Sequence, residues 1–226
     1  MWAIIKKEFK AYFYSPIGYI YIGVFILITS FLFFLDLFAY GSVEFFDMYS
    51  LTTLVLSFIV PVLTMRMFAE EKKNGTDQLL LTSPRSVTEI VLGKYFAAAF
   101  VVLITMAMQF LYFIIISQFG SPDLATFLVC LLGLTLISLA YIAFGMFASS
   151  LTENQLIAAI ISAGTFFFLN IASGFGILKG LSLSAALSNS FLVGKIALKD
   201  VVSMVSFAIL FIIFTIMILQ RRKGTK

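Results

Sequence analysis

The sequence contains no histidine, and it contains a single cysteine, Cys130, among 226 residues. Histidine is the commonest general base near neutral pH and the commonest metal ligand, so its absence argues against acid–base catalysis and against a metal site. A single cysteine cannot form a disulfide within the chain. We therefore expect no redox chemistry, no metal and no cofactor bound by this chain.

Charged residues are also scarce. They make up 12% of the chain, whereas 62% of the residues are hydrophobic and the mean hydropathy is +1.09. These values lie far from the averages of soluble domains. The net charge is +4, and a basic excess in so apolar a chain usually records membrane topology rather than affinity for nucleic acid. The composition predicts an integral membrane protein without a nucleic-acid partner.

The charges divide the chain into six long uncharged runs. Each run is long enough to cross a hydrocarbon core about 30 Å thick as a helix. The runs lack the alternation of polar and apolar residues that barrel strands show, and unpaired backbone groups are costly in lipid. We therefore predict one all-α membrane domain over residues 1–226, with six transmembrane helices at 17–40, 48–69, 86–118, 122–150, 152–178 and 200–220.

Three of the predicted helices begin with capping sequences. Ser86 is followed three residues later by Glu89, and Thr152 is followed three residues later by Gln155. In such a pair the hydroxyl accepts a hydrogen bond from the backbone N–H three residues on. Ser121, which precedes a proline, is the predicted N-cap of the fourth helix.

The lysines and arginines predict the orientation of the six helices. An even number of spans puts both termini on one side, and that side collects twelve of the fifteen basic residues. Cytoplasmic loops carry the excess of basic residues, so both termini are predicted to be cytoplasmic. The other side holds three, namely Lys179, Lys195 and Lys199.

Two segments outside the spans have an amphipathic character. Residues 1–16 interleave apolar and basic side chains and end at a Ser-Pro pair, which predicts a helix lying in the membrane interface. Residues 179–199 are too polar to span but contain short apolar groups among serines. They predict short re-entrant or interfacial helices on the outer face, between the fifth and sixth spans.

The charged segment at 70–85 interrupts the apolar chain between the second and third spans. Thr76 can cap a short turn that begins at Asp77, and three leucines give that turn an apolar side before Pro84 ends it. A partner protein could bury these leucines. No Gly-x-x-x-x-Gly-Lys-Ser/Thr sequence is present, so any motor belongs to another protein. On charge alone, a solvated connection that only enforces topology explains the segment equally well.

Two amides lie well inside the predicted spans, away from the ends of the spans. Gln109 falls in the third helix and Asn170 in the fifth. They can join helices by hydrogen bonds, or they can line a translocation path. The residues alone leave both roles open.

These features together resemble an ABC exporter permease of the type 2 class, over essentially the whole chain. The resemblance combines the N-terminal interfacial (elbow) helix and the six spans with the residues Arg66, Glu70, Glu71, Gly75, Thr76, Leu79, Leu80, Leu81, Pro84, Gly93 and Lys94. Residues 194–202, followed by a helix and Arg221-Arg222, are similar to gliding-motility-type permeases.

The resemblance implies a transporter of two permease protomers, identical or homologous, and two ABC ATPase subunits that bind ATP and Mg. It implies a cytoplasmic coupling helix between the second and third spans, a second contact at the turn near Glu153, and a path between protomers. The implied location is the plasma or inner membrane of a bacterium, with membrane lipid as a further partner. The sequence leaves open whether an auxiliary extracellular subunit binds residues 179–199. The residues expected to dock the ATPase are Arg66, Glu70, Glu71, Gly75, Thr76, Asp77, Leu79, Leu80, Leu81, Pro84 and Glu153.

Two other function classes compete with a permease. An intramembrane enzyme needs convergent ionisable groups at membrane depth, and the six runs contain none. A motor-independent channel or an assembly anchor could use six helices without an ATPase, but a channel would more often show a polar stripe or charged ring. The charged segment at 70–85 favours the driven permease.

Overall fold

The computed structural model describes residues 1–39, 46–76, 85–174 and 182–224. Six stretches of helix are long and apolar enough to cross a membrane, so the chain is a multi-pass membrane protein with six candidate spans. The helices are α1 (Trp2–Tyr14), α2 (Pro16–Phe34), α3 (Phe46–Thr64), α4 (Ala69–Lys73), α5 (Val87–Met108), α6 (Phe110–Ile116), α7 (Leu124–Leu151), α8 (Gln155–Gly174), α9 (Leu183–Asn189) and α10 (Leu198–Gly224).

Helix α7 is the centre of the bundle. It packs against α3, α5, α8 and α10, and in its most apolar stretch 61% of the residues are buried, against 17% in α10. Aromatic rings join α7 to its neighbours, with Tyr141 stacked on Phe166 at 3.9 Å between centroids and Phe144 edge-on to Phe211 at 4.8 Å. The outward faces of α2, α8 and α10 carry large exposed apolar side chains, as a surface in contact with lipid does.

Small residues set how closely the helices of the bundle approach. A Cβ atom on Gly145 of α7 would collide with Thr64 Oγ1 of α3, so the two helices touch at this point. A Cβ atom on Gly133 would lie 2.6 Å from the Cβ atom of Phe191. In lipid, close van der Waals contact replaces the hydrophobic effect as the main attraction between helices, and glycine allows it.

The termini of the long helices confirm one predicted cap and correct two. Ser86 Oγ accepts a hydrogen bond from the Glu89 N–H, as predicted. The N-cap of α7 is Asp123, not Ser121, because the helix begins at Leu124 and the carboxylate accepts from the N–H groups of residues 125 and 126. At the start of α8 the amide oxygen of Asn154 accepts from the Leu156 N–H, and Thr152 accepts from Asn154 instead of capping the helix.

The third span is not one continuous helix. It is interrupted at Gln109, where tighter hydrogen bonds replace the helical pattern: Gln109 N–H donates to the Met106 carbonyl and Tyr112 N–H donates to the Gln109 carbonyl, each three residues apart. Tyr112 in α6 then bonds α2 through its hydroxyl, which lies 3.1 Å from Thr29 Oγ1 and 2.7 Å from Ser30 Oγ. Tyr112, one turn after the interruption, thus joins the third span to the first.

Helix α1 lies against α5 and the start of α2. A Cβ atom on Gly93 of α5 would come within 2.6 Å of Ile4 Cγ2, and a Cβ atom on Gly18 of α2 would come within 2.5 Å of the Tyr12 carbonyl oxygen. Ile5 is buried, while Trp2 and Tyr14 are exposed. Two glycines on neighbouring helices thus make room for α1.

The segment between the fifth and sixth spans contains two short helical elements where it is described. Helix α9 and a 3-10 turn at Phe191–Val193 pack against α7, with Leu187 and Phe191 fully buried. The thiol of Cys130 on α7 is fully buried and donates to the Phe191 carbonyl at 3.3 Å, which joins α7 to the 3-10 turn. Residues 179–181 of the predicted outer segment lie outside the described ranges.

Candidate functional site: the broken end of the second span

Six alternating spans place several elements at one end of the bundle, here called the termini side. It holds α1, α4, the start of α5, the α7–α8 turn and the end of α10. The second span breaks on this side: α3 ends at Thr64, residues 65–68 form turns, and α4 begins at Ala69. A helix break leaves backbone N–H and C=O groups without their usual partners, and here the region is buried.

The hydroxyl of Ser149 on α7 binds the backbone groups that the break exposes. Ser149 Oγ accepts hydrogen bonds from the N–H groups of Phe68 at 3.1 Å and Ala69 at 3.0 Å, and it donates to the Met65 carbonyl at 2.9 Å. Ser149, Phe68 and Ala69 are all buried. One side chain therefore provides hydrogen-bond partners for three backbone groups at the turn that separates α3 from α4.

A second contact fixes α4 to the end of α7. The ammonium of Lys72, which is 9% exposed, donates to the Ser150 carbonyl. This carbonyl is one of the last four in α7, which have no partner within the helix, and a cation suits the negative end of a helix dipole. Together with the contact between Thr64 and Gly145, these bonds hold both sides of the break against α7.

A buried ammonium joins α4, α5 and α1. Lys94 Nζ lies 2.8 Å from Glu71 Oε1 and 3.2 Å from Glu8 Oε2. Only 4% of the Lys94 side chain is exposed, against 19% for Glu71 and 17% for Glu8. The ammonium also lies 5.3 Å from the centre of the Phe68 ring, within the range of a cation–π contact. Two carboxylates from different helices thus share one buried cation, and Glu8 also pairs with the exposed Lys7 at 3.7 Å.

The Arg66–Glu70 pair lies nearer the surface of the same junction. Arg66 Nε and Nη2 each donate to one carboxylate oxygen of Glu70 at 2.5 Å, a two-bond geometry. The two side chains are 30% and 33% exposed. Exposed pairs of this kind contribute about 0.5 kcal/mol, so the pair orients the junction more than it stabilises it.

Gly75 ends α4. Its φ is +69°, a left-handed conformation that glycine adopts without strain. The Gly75 N–H donates to the Lys72 carbonyl and the Thr76 N–H to the Glu71 carbonyl, which is the bond pattern of a Schellman motif. The Thr76 hydroxyl also donates to the Glu71 carbonyl. Asp77, Leu79, Leu80, Leu81 and Pro84, which complete the predicted docking segment, lie outside the described residues.

The α7–α8 turn lies beside α4. A cleft of about 480 Å³ is lined by Lys73 of α4 and by Glu153, Asn154, Gln155 and Leu156 of the turn. Lys73, Glu153 and Asn154 are exposed. The sequence predicts docking at 70–85 and near Glu153. Where the structure describes these two elements, they form one continuous surface.

A second, more polar cavity of about 310 Å³ lies between α1 and the break. Its walls include Lys7, Tyr12, Arg66, Asn74 and Thr76. Burial is the main cause that raises the pKa of the Tyr12 phenol, and the nearby Glu8 carboxylate raises it further. An ordinary phenol is already protonated at neutral pH, so the raised pKa extends the protonated range of Tyr12 to more alkaline conditions.

The two intramembrane amides lie apart from this site. Gln109 is fully buried, and neither of its amide atoms has a hydrogen-bond partner among the described residues. The Asn170 amide donates to the Phe166 carbonyl of its own helix at 3.1 Å and lies within hydrogen-bonding reach of the Tyr141 hydroxyl on α7. These contacts favour a helix-joining role for Asn170.

Sequence reasoning missed Ser149 and Glu8 as members of the junction. Ser149 carries no signal in the sequence, because a serine near a helix end usually bonds its own helix. Lys94 does carry a signal in the sequence, because it is a charged residue inside the apolar helix α5. Within the described ranges, no group of three or more Cys, Asp or Glu side chains is arranged to hold a metal ion.

The comparison with protein families gives a match over most of the chain. Residues 2–190 match the family described as ABC-2 family transporter protein, which covers well over half of the chain. No protein with a curated description matches the chain. The matched region includes α1, the broken second span and the α7–α8 turn.

Proposed function

The chain belongs to the ABC-2 transporter family and is the membrane component, the permease, of an ABC exporter, and on this premise we propose that its termini side is the docking surface for the ATPase. Permeases of this family work with a separate ABC ATPase subunit and lack the ATPase themselves. The observation that carries the proposal is the continuous exposed surface formed by α4 and the α7–α8 turn around one cleft.

The proposed orientation places the termini side in the cytoplasm. It rests on the distribution of basic residues, twelve of which fall on the side of the termini and three on the other. An ABC ATPase uses cytoplasmic ATP and Mg, so its docking surface must face the same compartment. The outer segment, with α9, then faces the exterior and is available to an auxiliary subunit.

The docking residues divide into three groups by position. Lys73 and Glu153 are exposed around the cleft and can contact the ATPase directly. A second group shapes the junction behind the surface, namely Arg66, Glu70, Glu71, Gly75 and Thr76. The third group lies outside the described residues, and its coupling role is proposed from the sequence alone; it comprises Asp77, Leu79, Leu80, Leu81 and Pro84.

The proposed mechanism couples nucleotide state to the position of α4. A partner that bound both membrane conformations equally would shift neither, so the docked surface must make different contacts in the two nucleotide states. Closure of two ATPases on ATP moves α4, and the Lys94 bridge transmits that movement to α5 and α1. Two permease protomers, identical or homologous, then reshape a path between them.

The finer assignments follow from the resemblance in the sequence. They are a gliding-motility-type permease in a bacterial plasma or inner membrane, an interfacial elbow role for α1 in contact with lipid, and a coupling-helix role for 70–85. Gln109, whose buried amide has no partner among the described residues, remains the stronger candidate for a translocation path than Asn170. A motor-independent channel or assembly anchor is the competing function.

Charge reversal on the cleft tests the docking proposal. Glu153→Lys combined with Lys73→Glu reverses both exposed charges of the surface without touching the buried bridge. We expect the ATPase that co-purifies with the wild-type permease to be lost from this variant. Lys199→Glu, an exposed charge reversal at the start of α10 on the opposite side, is the matched control and should retain the ATPase. Equal retention in both variants would refute docking at this surface.

A further inference from the structure

We infer that Ser149 is a positioning residue that fastens α4 to the end of α7, so that α4 and the α7–α8 turn move as one rigid body. The inference rests on the proposed function, because it explains how one ATPase could push on both elements together. It adds a residue that lies behind the docking surface and touches no partner.

The geometry of Ser149 differs from that of the other serine hydroxyls on α7. Ser138 donates to Leu134 four residues earlier, and Ser150 donates to Phe147 three residues earlier, so both bond their own helix. The Ser149 hydroxyl instead makes all three of its described hydrogen bonds to the turn of the second span. The Ser149 hydroxyl therefore joins α7 to the second span instead of bonding within α7.

The hydrogen bonds of Ser149 are important because their partners have no alternative. The turn at 65–68 removes helical partners from the N–H groups of Phe68 and Ala69, and both residues are almost completely buried. Water does not reach them, and a buried backbone group without a hydrogen bond is strongly disfavoured. The break in the second span therefore persists only while Ser149 stays in place.

The same contacts fix α4 to the end of α7, from which the α7–α8 turn continues. Ala69, which Ser149 binds, is the first residue of α4, and Lys72 of α4 binds the carbonyl of Ser150. The α7–α8 turn begins directly after α7 ends at Leu151. Helix α4 also packs against α8. Displacement of α4 relative to the turn would break the Ser149 and Lys72 bonds at once.

Distance measurement between spin labels tests this rigid body. Cys130→Ala removes the native thiol, and Asn74→Cys with Ile160→Cys provides two exposed labelling sites, one at the end of α4 and one on α8. In the complex with its ATPase, we expect the same label distance without nucleotide and with ATP bound. If the distance between the two labels changes with nucleotide while Ser149 is still present, the inference is overturned.

Ser149→Ala then tests the residue itself. Loss of the hydroxyl should widen the distance distribution about twofold and make it depend on nucleotide, because α4 becomes locally free. Ser138→Ala is the matched control, a fully buried serine of the same helix that bonds only its own backbone. Identical distributions for Ser149→Ala and wild type would contradict the inference.

The design separates the two proposals. Loss of the ATPase from the wild-type preparation would refute the proposed docking, whereas the comparison of Ser149→Ala with Ser138→Ala in the permease alone still tests the fastening. If Ser149→Ala does not fold, amide hydrogen exchange of the wild type replaces it. Slow exchange at Phe68 and Ala69 supports the inference, and fast exchange overturns it.

Discussion

The ammonium of Lys94 lies 2.8 Å from the carboxylate of Glu71, a residue 23 positions earlier on a different span. This ion pair connects the end of the second span to the start of the third. Glu8 of α1 binds the same ammonium at 3.2 Å. Movement of α4 therefore changes the position of an ammonium that α1 also binds. The junction can therefore transmit a push on α4 to two neighbouring helices.

Removal of the shared cation should destabilise the permease. Lys94→Met keeps the apolar stem but leaves two carboxylates facing each other in a buried place. We expect a loss of about 3 kcal/mol, typical of removing one partner of a buried ion pair, visible as a lower Tm of the purified permease in detergent. Lys73→Met removes an exposed lysine from α4 and should leave the Tm unchanged.

Neutralisation of all three groups should reverse this loss. The triple variant Lys94→Met, Glu8→Gln and Glu71→Gln removes all three charges of the bridge, and the one charge that loses a partner, Lys7, is 74% exposed. Its Tm should therefore return most of the way to the wild-type value. If the triple variant is no more stable than Lys94→Met alone, the destabilisation has a cause other than the bridge.

A methyl group on Gly145 should separate α3 from α7. The added Cβ atom collides with Thr64 Oγ1, and overpacking of this kind costs about 2 kcal/mol. Gly164→Ala on α8 is the matched control, because nothing lies within 4 Å of the added atom. That variant should be about 1 kcal/mol more stable, since alanine favours a helix over glycine. Equal Tm values for the two variants would contradict the close approach.

Gln109→Met tests whether the buried amide makes a structural bond. The described structure gives neither amide atom a partner, so the substitution removes two unpaired polar groups and should raise stability by about 1 kcal/mol. The measurement is again the Tm in detergent. A Tm several degrees lower would show that the amide joins helices after all.

The single native cysteine simplifies a test of orientation. Cys130→Ala provides a background without thiols, into which Glu153→Cys or Lys195→Cys adds one exposed thiol. A maleimide that cannot cross membranes should label Lys195→Cys in intact cells, and Glu153→Cys only after permeabilisation. The reverse pattern would place the termini side outside the cell.

The spans could be predicted from the sequence because they depend on composition alone. Six uncharged runs correspond to six apolar helices, and Ser86 caps α5 as its local spacing indicates. The caps of α7 and α8 show the limit of that reasoning. Asp123 and Asn154 cap these helices because each directly precedes the first helical residue, and the patterns around Ser121 and Thr152 start too early.

The interior of the candidate site could be predicted only in part. Glu70 and Glu71 are recognisable as charges at the end of a span, but their partners are set by how the helices pack. Arg66 is one turn from Glu70 and could be inferred, whereas the pairing of Glu71 with Lys94 depends on the meeting of two spans. The role of Ser149 depends on the turn between α3 and α4, which the residue types between Thr64 and Ala69 do not predict.

Site-specific cross-linking tests the central claim most directly. A photoreactive amino acid at Glu153, on the cleft beside α4, should cross-link to the ATPase in the complex, because this surface is the proposed docking site. The same amino acid at Lys195, exposed on the opposite side, should give no such product. Cross-linking to the ATPase from Lys195 and none from Glu153 would contradict the account.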